Sequence, residues 1–125
     1  MMETKKFYVS EIAKQFHLTQ NTIRFYEKKG LLPCMKRDSN NYRYILEEDI
    51  KWFNTVICLK KTGMSISDIK KYISLAQKGN TSANERLEMI TKQKTQVVNQ
   101  IEFLKKQLEF LNYKTDFYKK ILENK

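Results

Sequence analysis

Between Ser10 and Tyr44 two short helix-forming runs meet at a polar turn and lead into a basic, asparagine-rich hairpin. That order constrains the fold more than any other stretch. Helices of about ten residues are marginal alone, so both must be held by packing onto neighbouring elements. Ser10 can cap the first run with its hydroxyl, and Ile12, Ala13 and Phe16 give it an apolar face at helical spacing. His17 and Leu18 form the turn. Thr19 caps the second run, which reaches about Lys29 with Ile23 as its core anchor. Gly30 follows where a left-handed residue closes a helix.

The rest of the chain divides at its glycines. Asn40-Asn41 suits a tight hairpin turn between short strands, because asparagine tolerates positive φ. A third helix opens at Glu48 or Asp49 and ends near Thr62, before Gly63. A fourth opens at Ser65, with Asp68 three residues on as in a capping box, and ends before Gly79. Asn80 to Asn84 forms a polar hinge. Beyond it, positions 87, 90, 94, 97, 101, 104, 108, 111, 115, 118 and 122 follow a 3-4 spacing, and all are apolar or aromatic except Lys94 and Thr115. That is coiled-coil length, and one small domain cannot cover such a stripe, so a partner helix from a second copy is expected. The expected architecture is therefore mainly α, with a winged helix-turn-helix domain over residues 1–79 and a dimerisation helix over residues 80–125 that pairs as a coiled coil.

Charge narrows the function. The net charge is +10, and residues 1–80 hold fifteen Lys/Arg against eight Asp/Glu. An excess centred on a helix pair favours a polyanionic partner, although a basic surface can also serve solubility alone. No apolar run approaches membrane-spanning length and the N-terminus has no signal-peptide character, so a cytoplasmic protein is expected. Cys34, Cys58 and the single His17 make no multi-ligand metal pattern. Paired carboxylates, a Ser-His-Asp set and a glycine-rich phosphate loop are all missing, so neither catalysis nor a cofactor is expected.

In a helix-turn-helix the start of the second helix faces base edges and phosphates. Here it offers Thr19, Gln20, Asn21, Thr22 and Arg24. Gln and Asn pair bidentately with adenine and Arg with guanine or a phosphate fork, while the Tyr26 hydroxyl suits a phosphate oxygen. Arg37, Tyr42 and Arg43 in the hairpin suit backbone clamping, with one of Tyr42 and Tyr44 expected to pack beneath it. On a helical wheel of residues 50–62, Lys60 interrupts the apolar arc of Ile50, Trp52, Phe53, Val56, Ile57 and Leu59. It either snorkels to an edge or meets an anion such as a phosphate. Cys58 lies on the opposite arc with Lys51, Asn54, Lys61 and Thr62. Cationic neighbours favour a reactive thiol, so Cys58 is either a redox or electrophile sensor or an inert thiol covered by a partner helix.

The runs TIRFYEKKGLLP, NNYRY and EEDIKWFNTVICLKKTGMSISDIKKYI, in this order, resemble MerR-family transcriptional regulators across residues 7–78, and the long helix resembles that family's antiparallel dimerisation helix. The resemblance implies a homodimer on a pseudo-palindromic promoter whose −35 and −10 elements are too far apart. Distorting that DNA would realign them for RNA polymerase. It also implies backbone contacts from Arg24, Tyr26, Tyr42, Arg43 and Lys60. Metal and drug sensors of the family carry further segments after the helix, whereas this sequence stops at Lys125. Cys58 matches the lone cysteine of the subgroup resembling AdhR and NmlR, which respond to aldehydes and other thiol-reactive species, and the closing YKTDFYKKIL is similar too. Asn41 stands where glycine is common, and Cys34 is an addition to the pattern. Two alternatives are a regulator with a small non-covalent ligand near Tyr113, Phe117 and Tyr118, and a coiled-coil interaction protein whose basic head binds an acidic protein.

Overall fold

The computed structural model describes residues 5–124; the expected domain limits at residues 1 and 125 lie outside them. Elements follow the order β1 (Lys6–Tyr8), α1 (Val9–Gln15), α2 (Gln20–Lys28), β2 (Lys36–Arg37), β3 (Arg43–Leu46), α3 (Ile50–Lys61), α4 (Ile66–Gln77) and α5 (Ala83–Glu123). Single 3-10 turns lead into α3 and α5. The chain splits into two compact units between Ala83 and Asn84. Among the described residues no helix is long and apolar enough to cross a membrane.

The head is mainly helical with a small sheet of order β1-β3-β2, both pairings antiparallel. β1 is an addition to the hairpin expected from sequence. It pairs Lys6 with Leu46, Phe7 with Ile45 and Tyr8 with Tyr44. That pairing holds Tyr8 extended, with ψ 158°, so α1 starts at Val9 and Ser10 falls inside the helix rather than capping it. The Glu11 carboxylate instead accepts the Tyr8 backbone N–H at 3.2 Å.

Local rules set the remaining helix ends. His17 adopts φ 55° in the turn between α1 and α2. The Thr19 hydroxyl accepts the Thr22 N–H at 3.1 Å, satisfying one of the free donors at the start of α2. At the other end Gly30 has φ 81°, Leu31 N–H reaches Tyr26 C=O and Gly30 N–H reaches Glu27 C=O, a Schellman closure. Ser65 caps α4 by accepting the Asp68 N–H at 3.1 Å.

These ends aim the apolar faces at one core. Ile12, Ile23, Leu31, Ile45, Phe53 and Ile69 are fully buried there. Phe16 meets Phe53 edge-on, with ring centroids 4.8 Å apart. Burying a side chain of this size stabilises by about 1.5–3 kcal/mol, enough in sum to fix a helix pair that neither propensity nor length would hold.

The second unit begins at Asn84, one residue into α5, a 41-residue helix about 62 Å long at 1.5 Å per residue. Its stripe stays open along the single chain, with Leu104, Leu108, Leu111 and Tyr118 all exposed.

Candidate nucleic-acid interface

The first turns of α2 present Gln20, Asn21 and Arg24 to solvent. The Arg24 guanidinium donates to Asn21 Oδ1 at 2.7 Å, so two of the candidate base-reading groups are oriented by one another. Thr19 and Thr22 are tied by their own hydroxyls at 2.8 Å, beside the cap bond. Their first role is thus to hold the helix start. Tyr26 is half-buried against the core, its ring 6.0 Å from that of Phe25.

The hairpin is organised by Asp38, a residue that the sequence pattern did not single out. Its Oδ1 accepts the N–H groups of Asn40 and Tyr42, each at 2.9 Å, and the Tyr8 hydroxyl donates to Oδ2 at 3.0 Å. The Tyr42 N–H bond leads in holding this carboxyl below the usual carboxylate range, and the Tyr8 hydroxyl and Asn40 N–H add to it against a smaller cost of burial. The same hydroxyl bond pushes the Tyr8 phenol above its ordinary value. Asn41 turns the chain with φ 67°, which asparagine tolerates better than other non-glycine residues. Tyr42 is 64% exposed at the tip, whereas Tyr44 is half-buried with its ring 5.7 Å from that of Tyr8. Of the two tyrosines, Tyr44 is the one that packs.

Glu27 joins the wing to α2. Its Oε1 accepts a hydrogen bond from Arg43 Nε at 2.7 Å and lies 3.9 Å from Arg37 Nη2. Arg37 also donates to Asn41 Oδ1 at 3.1 Å. The helix and the wing therefore share one edge, bringing Arg37 and Arg43 onto the side where α2 ends. Sequence reasoning missed Glu27 because, as a helical carboxylate, it resembles any solvated one, and its partner is 16 residues away.

Lys60 is half-buried in the last turn of α3 and makes no ion pair with a described residue, and no hydrogen bond links it to α2 or the wing. Cys58 is exposed on α3, flanked at helical spacing by the exposed Asn54 and Lys61, and its thiol faces Asn54 Oδ1 at 3.7 Å. Cys34 is half-buried.

This arrangement has close counterparts. Residues 7–76 match the model of the MerR helix-turn-helix family of regulatory proteins. An uncharacterised helix-turn-helix transcriptional regulator of Haemophilus influenzae is 38% identical over 111 residues, covering 89% of this chain and 82% of that protein. The transcriptional regulator AdhR of Bacillus subtilis is 33% identical over 90 residues, covering 72% of this chain and 64% of its own length. Among solved structures, HiNmlR, a MerR-family regulator lacking the sensor domain and crystallised on promoter DNA, superposes with a TM-score of 0.83 at 36% identity, covering 93% of this chain and 92% of that one. Matched over more than half its length in sequence and nearly all of it in fold, the chain belongs to the MerR family of helix-turn-helix transcriptional regulators.

Proposed function

We propose that this regulator works as a homodimer that grips a pseudo-palindromic promoter with two heads, distorts it for RNA polymerase, and changes state when Cys58 meets an electrophile. The observation that carries the reading is the joining of α2 to the wing through Glu27, Arg43 and Arg37, which makes one edge of two elements that are separate in sequence. On that edge Gln20, Asn21 and Arg24 read bases, while Thr19, Thr22, Tyr26, Arg37, Tyr42 and Arg43 hold sugar-phosphate, with Lys60 adding a phosphate contact. The likeness to HiNmlR, which was crystallised on promoter DNA, supports it. The uncovered stripe of α5 supports a second copy.

Deforming a short duplex costs roughly 1–10 kcal/mol, a scale that a covalent change at one residue can bias. Cys58 stands two residues before Lys60 in the closing turns of α3. When its sulfur adds to an aldehyde carbonyl, a C–S bond forms, the C=O π pair moves to oxygen and that oxygen takes the thiol proton. Lys60 points to the other side of the helix, so the hemithioacetal sets its new bulk on the face of Asn54 and Lys61 and acts on the head through α3.

The test is a titration of the protein against its own promoter duplex and a scrambled duplex over a salt series, followed by transcription with and without an aldehyde. Preference for the promoter, a steep loss of affinity with salt, and a Cys58→Ser variant that binds but no longer responds are expected. Equal affinity for the scrambled duplex would overturn the regulator mechanism and favour a basic head for acidic proteins. Undiminished induction in Cys58→Ser would remove the thiol alone.

A further inference from the structure

Within the head, the loop from Leu31 to Lys36, helix α3 and helix α4 line a partly open, mainly apolar cavity of about 300 Å³. Leu32, Val56, Leu59 and Ile73 supply aliphatic wall, and the rings of Trp52 and Tyr72 supply flat surface. None of the residues assigned above to DNA or to Cys58 chemistry lines it.

Its size is that of a ligand seat. A cavity of ~150 Å³ holds one benzene ring, so this space suits about two fused rings. It also sits at the lower end of the ~300–1,000 Å³ common among small-molecule sites. The wall has the mixed character of such sites. Lys36 and Asp49 both reach the cavity, and neither makes an ion pair with a described residue. One cation and one carboxylate leave the wall with no net charge, which gives no preference for a charged occupant, and the Lys36 ammonium is a donor that no described carboxylate holds. Burial pushes the Cys34 thiol up, and nearby Asp49 adds to that, so Cys34 presents a neutral sulfur to the space.

We infer that this cavity binds a flat, neutral molecule of about two fused rings with a carbonyl or hydroxyl oxygen at its edge, the rings against Trp52 and Tyr72 and the oxygen toward Lys36. Lys36 belongs to β2, which pairs with β3 through Arg37 and Arg43. An occupant therefore touches the root of the wing and biases how its arginines are held, an input separate from Cys58.

Coumarin is the probe, and naphthalene its oxygen-free analogue. Trp52 is the only tryptophan, so its emission reports the cavity, and in a Cys58→Ser chain Cys34 is the one remaining cysteine. Coumarin is expected to quench Trp52 saturably and to slow alkylation of Cys34 by N-ethylmaleimide. Ala76 lines the cavity, and Ala76→Phe fills it, weakening coumarin about tenfold or more. If Ala76→Phe does not fold, Lys36→Ala carries the comparison, expected to erase the preference for coumarin over naphthalene while the duplex-free protein still melts cooperatively. Absence of saturable quenching, or quenching and protection that persist unchanged in both variants, would overturn the inference. So would a Trp52 that ignores coumarin in a chain whose Cys34 resists alkylation before any ligand is added.

Discussion

Arg43 Nε lies 2.7 Å from Glu27 Oε1, and this contact sets the wing against the end of α2. Both side chains are less than a third exposed, at 28% and 23%. A hydrogen bond between charged partners contributes about 1.5–3 kcal/mol when well shielded, and partial solvent screening brings this one to about 1 kcal/mol. Glu27→Gln is expected to lower the unfolding free energy by about that amount, measured as a shift of the urea midpoint at constant slope. It also releases two arginines, so affinity for scrambled DNA should rise. A variant with the parent's midpoint and the parent's non-specific affinity would show that the latch is incidental.

The proposed base reading by Arg24 and phosphate contact by Lys60 separate in a single experiment. Arg24 is exposed at the start of α2 and oriented by Asn21, and the proposal gives it a base edge to read. Arg24→Ala should cost about 1–3 kcal/mol on the promoter and relax the preference at one base position. Lys60→Ala should weaken all duplexes alike and reduce the slope of log affinity against log salt by about one. Anisotropy titrations at several salt concentrations distinguish the two. A Lys60→Ala slope equal to the parent's would make Lys60 a snorkelling surface lysine.

Much of this geometry was legible in the chain because the rules involved are local. Thr19 and Gly30 mark both ends of α2 through a hydroxyl cap and a left-handed residue, and Ser65 marks the start of α4 in the same way. The exposed side of Cys58 followed from the 3.6-residue period, since the surrounding Phe53, Val56, Ile57 and Leu59 are all buried. What stayed hidden depends on distant partners. Three residues are too few to show a strand's alternation, so β1 appears only once Phe7 meets Ile45. That pairing, in turn, moves the start of α1 from Ser10 to Val9. Glu27 and Asp38 are ordinary surface acids until the fold brings Arg43 and Tyr8 to them. The cavity is a property of volumes between three elements, which no periodicity encodes.

The Tyr8–Asp38 pair gives the wing a pH window. Backbone N–H groups and the Tyr8 hydroxyl hold the Asp38 carboxyl below its ordinary value, so its stabilisation is complete above about pH 4, the unfolded carboxyl's value, and is lost as pH falls through the lower folded one. The Tyr8 phenol is raised, so its contribution is complete below about pH 10 and is lost as pH rises through the folded value. Between these limits the hydroxyl donates to a carboxylate. The amide resonances of Asn40 and Tyr42 should therefore titrate together, with a midpoint below the usual carboxylate range, and Asp38→Asn should abolish that titration. Amides that stay still in acid, or move with an ordinary aspartate midpoint, would mean that the carboxylate does not organise the tip.

The dimer prediction rests on α5. Along the single chain Leu104 is 62% exposed and Leu108 is 56% exposed, and both belong to a stripe that keeps its 3-4 spacing over a 41-residue helix. A helix of this length in water leaves that area uncovered unless a second helix lies along it, and burying apolar surface stabilises by roughly 25 cal/mol per Å². The pairing is the natural solution because each copy brings the same stripe. Leu104→Glu and Leu108→Glu introduce charges that the pairing would have to bury without partners, at a cost well above the worth of any surface contact. The double variant should sediment as a monomer at micromolar concentration, lose helical signal in the far ultraviolet, and bind the promoter duplex far more weakly than the parent, because one head then contributes half the contacts. The head itself should keep its cooperative melt, since its core of Ile12, Ile23, Leu31, Ile45, Phe53 and Ile69 lies within the first unit. A parent chain that sediments as a monomer at the same concentration, or a double variant that stays dimeric, would remove the second copy from the mechanism and with it the two-headed grip on a palindrome.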